Sequence, residues 1–183
     1  IACVEKDEIS QWNMLHDVEE KTKELEDLCY NLNNNILSID KILEAAIIAP
    51  TAHNIQPFKI WVITKAEDIE KIKETTPCTN GASLFFVLGA NKETGWVRKY
   101  DQKSFADVDA AIVGTHMMLA VEELGLATTW VGHFKNEKLA EAFPQMKGYD
   151  LIAMFPVGYA KDEAKPIPMH FERKSVDELV EIV

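Results

Sequence analysis
Cysteine is scarce in this chain. Cys3, Cys29 and Cys78 are odd in number, far apart and unaccompanied by histidines at ligand spacing, which argues for free thiols and against a disulfide framework or a zinc site. Positive charge is short as well: 19 Lys and Arg against 30 Asp and Glu leave a net charge of -11. A nucleic acid or an anionic membrane would demand clustered cations, so neither is an expected partner. No apolar run approaches the roughly 20 residues that cross a bilayer, and residues 1–8 lack the basic start and apolar middle of a signal peptide. A cytoplasmic protein is therefore expected. Internal repeats are missing, and the one brief compositional bias is the asparagine cluster Asn33-Asn34-Asn35. What remains is 183 residues with 47% hydrophobic content, the size of one domain able to bury about 70% of its unfolded surface.

Taken in order, residues 8–32 read as a helix, because Leu15, Val18, Thr22, Leu25, Cys29 and Leu32 keep one stripe at spacings of three and four. It would pack on its own domain, across a dimer, or in a short coiled coil. The asparagines then end it, since short amides compete for backbone hydrogen bonds. Ser38 is a candidate N-cap for a helix whose Ile39, Ile42, Leu43, Ala46 and Ile47 form an apolar face. A strand is expected over Phe58–Ile63, a charged amphipathic helix over Ala66–Glu74 and a central strand over Ala82–Leu88. Residues 91–104 form a loop and a candidate lid, carrying Trp96, Arg98, Lys99 and Tyr100. Asp107 or Asp109 opens a long helix over Ala110–Leu124, apolar enough to be the buried helix of the domain and closed by Gly125. A short strand follows over Thr128–Val131, a helix over Glu137–Phe143 halted by Pro144, a central strand over Leu151–Val157, and an amphipathic helix or tail over 175–183. Interleaved strands and helices favour an α+β or α/β sandwich with a mostly antiparallel or mixed sheet.

Between the second helix and the first strand lies the stretch Ala49-Pro50-Thr51-Ala52-His53-Asn54-Ile55-Gln56-Pro57. Pro50 cannot continue a helix and Pro57 sets the entry to the strand, so the residues between them sit on a stiff turn. Thr51, Ala52, Asn54 and Gln56 offer hydroxyl, amide and backbone groups suited to the edge of a flat heterocycle, although an ordinary structural turn uses the same residues. The order of residues resembles the Ala-Pro-Ser/Thr-x-x-Asn-x-Gln-Pro signature of the nitroreductase family of flavin enzymes. Two further segments are similar to that family's motifs: Glu123-Leu124-Gly125-Leu126-Ala127-Thr128-Thr129-Trp130-Val131-Gly132, and Phe155-Pro156-Val157-Gly158-Tyr159 followed by Arg173-Lys174. The resemblance covers residues 38–183, leaving residues 1–37 as an atypical N-terminal helical segment ahead of a nitroreductase-like domain.

The resemblance implies an α+β fold, a three-layer α/β/α sandwich that dimerises, and FMN held in a cleft between two subunits. Pro50, Thr51, Ala52, Asn54 and Gln56 of one chain would face the ring, and Trp130, Val131 and Gly132 of the other would meet it. Gly132 suits a position near the flavin N5, where a missing side chain lets the backbone amide approach. Arg173 matches a residue that holds the FMN phosphate bidentately. No catalytic side chain and no metal are implied. Each position also has a plainer reading: Trp130 as a core aromatic, Arg173 as a solvated cation, His53 as an exposed turn residue, His116 as a core histidine. Trp96 and Tyr100 could stack on an aromatic substrate. The implied activity is hydride transfer from NADH or NADPH to a nitroaromatic, quinone or similar small electron acceptor by a ping-pong route. The departure is at the start, where the family's Arg-Arg-Ser-x-Arg-like segment is replaced by Asn31–Leu37. Two missing charge-assisted bonds would weaken FMN binding by about 3–6 kcal/mol, so the alternative is a nitroreductase-fold binding or assembly module with weak or lost flavin binding.

Overall fold
A computed structural model describes residues 38–183, together with Lys21 and Lys23, which are helical. The rest of the helix expected over 8–32, its asparagine stop, and Cys3 and Cys29 lie outside the described residues. Cys78 is a half-buried free thiol.

Residues 38–48 form helix α1. Ser38 is already helical rather than a non-helical cap. Ile42, Ala46 and Ala49 are buried, with Ile39 and Leu43 packed beside them, as the period of three and four requires. Ile47 departs from the expected face and is 61% exposed, because five residues beyond Ile42 a helix has turned about 140° away from it. After the turn come β1 (Phe58–Ile63), α2 (Ala66–Lys73), β2 (Leu84–Ala90), α3 (Ala106–Glu123), β3 (Ala127–Thr128), α4 (Asn136–Ala142), β4 (Asp150–Gly158) and α5 (Val176–Leu179). Gly125 lies just past α3 with φ +69°, the left-handed position that ends a helix and that glycine adopts without strain.

The four strands form one sheet in the order β1-β2-β4-β3, every neighbouring pair antiparallel. The central strands bury both faces. Phe86, Leu88, Ala153, Phe155 and Val157 point toward α1 and α3; Phe85, Val87, Leu151 and Met154 point toward α2 and α4. A register shift between Leu88 and Gly89 leaves Ile152 without an opposite number, so Leu151 and Ala153 fall on opposite faces. Helices on both faces of an antiparallel sheet make the expected three-layer α+β sandwich.

Helix α3 corrects one expectation. It buries a stripe through Ala106, Asp109, Ala110, Val113, Gly114, Met117 and Val121, yet leaves Leu119 65% exposed and Val108 37% exposed. A helix apolar on all sides needs cover on all sides, and the described chain supplies it on one. Residues 159–183 are exposed throughout, including Ile167, Met169 and Phe171. Within them Ser175 and Glu178 form a reciprocal capping box that starts α5.

Candidate active site
The proline-bracketed turn has an unusual backbone. Thr51 is extended, Ala52–Asn54 make a single 3-10 turn, and His53, Asn54 and Gln56 all have left-handed φ of 53°, 54° and 55°. Left-handed geometry at a residue other than glycine costs on the order of 1–3 kcal/mol, so three in four residues must be held from outside or by one another. Internally, the Asn54 amide donates to the Thr51 carbonyl at 2.9 Å and the Gln56 amide to Thr51 Oγ1 at 3.1 Å. Gln56 Nε2 donates to Asn54 Oδ1 at 3.0 Å. From outside, the Ala52 amide donates to Asp109 Oδ1 on α3 at 2.9 Å, and the Asn91 amide donates to the Pro57 carbonyl at 2.8 Å. Asn54 and Gln56 are exposed, Thr51 and Ala52 half-buried and Pro57 buried.

The tryptophan-glycine segment hangs on β4. Val131 exchanges two backbone bonds with Met154, at 3.0 and 2.9 Å, and Thr128 Oγ1 donates to the Pro156 carbonyl at 2.8 Å. The expected strand Thr128–Val131 is thus β3 ending at Thr128, two unpaired residues, and an isolated bridge at Val131. Trp130 lies edge-on to Phe155 at 5.2 Å and against Gly114 of α3, where an added Cβ would come within 2.7 Å of its ring. It is 37% exposed, so it is both a core aromatic on one edge and an open wall on the other. Gly132 is exposed, with nothing within 4 Å of where a Cβ would stand.

Both walls are therefore fastened to α3, the turn at Asp109 and the tryptophan at Gly114. Five residues separate these anchors by about 7.5 Å along the axis and about 140° around it, on opposite flanks of the buried stripe. Among the described residues no hydrogen bond or ring contact joins one wall to the other. Arg173 is not brought to either. It is exposed, and its Nη1 donates to the carbonyls of Met169 at 3.2 Å and Glu172 at 2.7 Å. His116 Nδ1 donates to the Ile112 carbonyl, 3.0 Å away, within its own helix.

The loop 91–104 comes back over the turn. Trp96 packs on His53 at 5.3 Å and on Phe105 at 5.1 Å, whereas Tyr100 is 94% exposed and stacks on nothing described. Arg98 and Lys103 lie over the Phe105 ring at 5.3 and 5.6 Å. Lys92 is paired with Asp150 and with Asp107 at 3.1 Å, and these carboxylates, Asp150 foremost, raise its pKa. Arg98 Nε donates to Asp101 Oδ1 at 2.8 Å, and this hydrogen bond above all lowers the Asp101 pKa from 3.8 to about 2. A carboxylate whose pKa falls on folding contributes stability above its unfolded value, lost as pH drops through the folded one. The Trp96–Phe105 loop should accordingly loosen between pH 3.8 and about 2, seen as lower amide-exchange protection at Arg98 and Gln102, which donate to the Lys103 and Arg98 carbonyls. Asp101→Asn should show that loss of protection already at pH 5.

An open groove of about 1060 Å³ lies elsewhere, at the end of the sheet where β2 begins and β4 ends, lined by Thr64, Leu84, Thr128, Val157 and Tyr159 among others. None of Thr51, Ala52, Asn54, Gln56, Trp130, Val131 and Gly132 lines it. Two residues whose long-range contacts local pattern did not reveal are Asp109, which reads as a helix-opening acid, and Gly114, which reads as one small residue in an apolar helix. Their partners are 57 and 16 positions away in sequence, beyond the reach of periodicity.

The model of the nitroreductase family matches residues 38–78 and 75–159. An Archaeoglobus fulgidus protein, provisionally named an NADH dehydrogenase/NAD(P)H nitroreductase, is 30% identical over 132 residues, covering 68% of this chain and 74% of its own. A nitroreductase family protein from Clostridium difficile 630 has the same fold at a TM-score of 0.71 and 33% identity, over 79% of this chain and 84% of the other. A nitroreductase-like structure from Exiguobacterium sibiricum, solved in complex with FMN, shares the fold at a TM-score of 0.69 and 18% identity, over 79% and 85%.

Proposed function
The chain belongs to the nitroreductase family, and from that premise we propose that it is an FMN-dependent oxidoreductase passing hydride from NADH or NADPH to a nitroaromatic, quinone or similar small acceptor. The observation that carries the reading is the turn itself: a strained, externally held backbone presenting Thr51, Ala52, Asn54 and Gln56 at an open surface. The fit extends to the other wall, where Trp130 is partly exposed and Gly132 is exposed with open space where a side chain would stand. Bound FMN would supply the hydride acceptor that alternates between donor and final substrate in a ping-pong cycle. The chain's task would be to orient: the turn would hold one edge of the ring, Gly132 would let its backbone approach near N5, and Trp130 would shield one side from water. Trp96, seated on His53, would border the entry of the second substrate.

The cleft would be formed by two copies. The walls lie on opposite flanks of α3, and the uncovered face of that helix, Ile47, Ile48 and the exposed apolar side chains Ile167, Met169 and Phe171 together offer the surface a second copy would cover. Purified protein should be yellow, or turn yellow with added FMN, and bleach under NADH or NADPH in the absence of oxygen. Protein that is colourless and takes up no FMN rejects this function. That outcome would leave the second reading, a binding or assembly module, which draws support from Arg173 being spent on its own backbone carbonyls.

A further inference from the structure
Resting on the flavin reading above, we propose that Asp109 is a positioning residue: it holds the Thr51–Gln56 turn in its ring-facing shape through the Ala52 amide. The carboxylate is 2% exposed, within the first turn of α3. Burying a charge is costly, and a site that bears the cost is expected to use it. Here Oδ1 accepts from Ala52 at 2.9 Å across 57 residues of sequence, and Oδ2 is buried with no hydrogen-bond partner among the described residues. The bond to Ala52 is thus the described contact that the carboxylate makes outside its own helix. It lands on the residue directly before His53 and Asn54, the consecutive left-handed pair. Fixing the peptide plane ahead of that pair fixes the direction in which Asn54 and Gln56 present their amides. Released, the pair would relax toward ordinary right-handed geometry and swing those amides away.

The test compares wild type, Asp109→Ala and Asp109→Asn, the last keeping an oxygen where Oδ1 stands. Two quantities are read on each: the FMN dissociation constant by fluorescence titration, and amide hydrogen exchange at Ala52 against Val113 and Met117 in flavin-free protein. Asp109→Ala should weaken FMN by about 10- to 100-fold and speed Ala52 exchange by at least about 10-fold, with Val113 and Met117 changing far less. Asp109→Asn should recover most of both. Asp109→Ala that binds FMN like wild type overturns the inference and leaves the flavin reading standing. So does exchange that rises equally at all three amides, which marks general destabilisation, or an asparagine variant as poor as the alanine one. Wild type that takes up no FMN overturns the flavin reading and, with it, the role of Asp109 in shaping a flavin wall.

Discussion
Replacing Gly114 with valine should destabilise the protein by about 2–4 kcal/mol and dislodge Trp130. A Cβ at Gly114 would stand 2.7 Å from the Trp130 ring, 2.9 Å from Phe155 and 3.2 Å from Leu88. Phe155 and Leu88 are sealed in the core between α3 and the sheet, so neither can give way. Trp130, half out of the core, is the group that moves. Alanine at the same place would gain about 1 kcal/mol of helix propensity over glycine, offsetting part of the clash; valine adds two methyls and loses most of that gain. A fall in the urea midpoint, with a shift in tryptophan emission from the folded state, checks the prediction. A midpoint and spectrum matching wild type would mean that Trp130 does not rest on α3.

Charges placed at Ile48 and Leu119 should abolish pairing of the chain with itself. These side chains are 78% and 65% exposed, on the faces of α1 and α3 that the proposed second copy would cover. Each contributes roughly 1.5–3 kcal/mol when fully buried, and a carboxylate in its place adds a desolvation cost. The double variant Ile48→Asp, Leu119→Asp should weaken a dimer by about 4 kcal/mol or more, close to a thousandfold. Sedimentation at micromolar concentration should give twice the chain mass for wild type and one chain mass for the variant, with flavin lost in the same step. A wild type that sediments as a single chain contradicts the prediction at once.

How far the fold could be read from sequence depended on how local its causes are. Strand β1 stands at its expected bounds, Phe58–Ile63, because Pro57 and a run of β-branched and aromatic residues define it within six positions. Strand β2 starts two residues later than expected, at Leu84 rather than Ala82. Asn80 and Gly81, both with positive φ, carry the turn that far, and apolar content alone does not register a turn. Helix α3 begins at Ala106 rather than Ala110, and Asp109, expected as an opening acid, is inside it and turned to the core. The difference is one of partner: a capping acid answers its own helix, whereas Asp109 answers Ala52. Ile47 and Leu119 were misplaced for the opposite reason, since apolar character says that a residue seeks cover without saying whose.

The site was legible in the same uneven way. The turn could be recognised because its stiffness comes from two prolines and its chemistry from adjacent side chains. The bond from Ala52 to Asp109 and the seating of Trp130 on Gly114 arise from contacts between distant segments. Arg173, to which the resemblance gives a phosphate, has its guanidinium on the carbonyls of Met169 and Glu172 within the chain.

The decisive measurement is flavin stoichiometry in a mixed dimer. Ala52→Phe would block the turn wall and Gly132→Trp the open space of the other wall, so neither variant alone should bind FMN. If a site takes one wall from each chain, co-expressed variants form mixed dimers with one site doubly blocked and the other fully wild type. Random pairing should then restore roughly one quarter of the wild-type flavin per chain. A mixture that binds no more FMN than its parents would contradict the account, because it would mean that each chain builds its site alone.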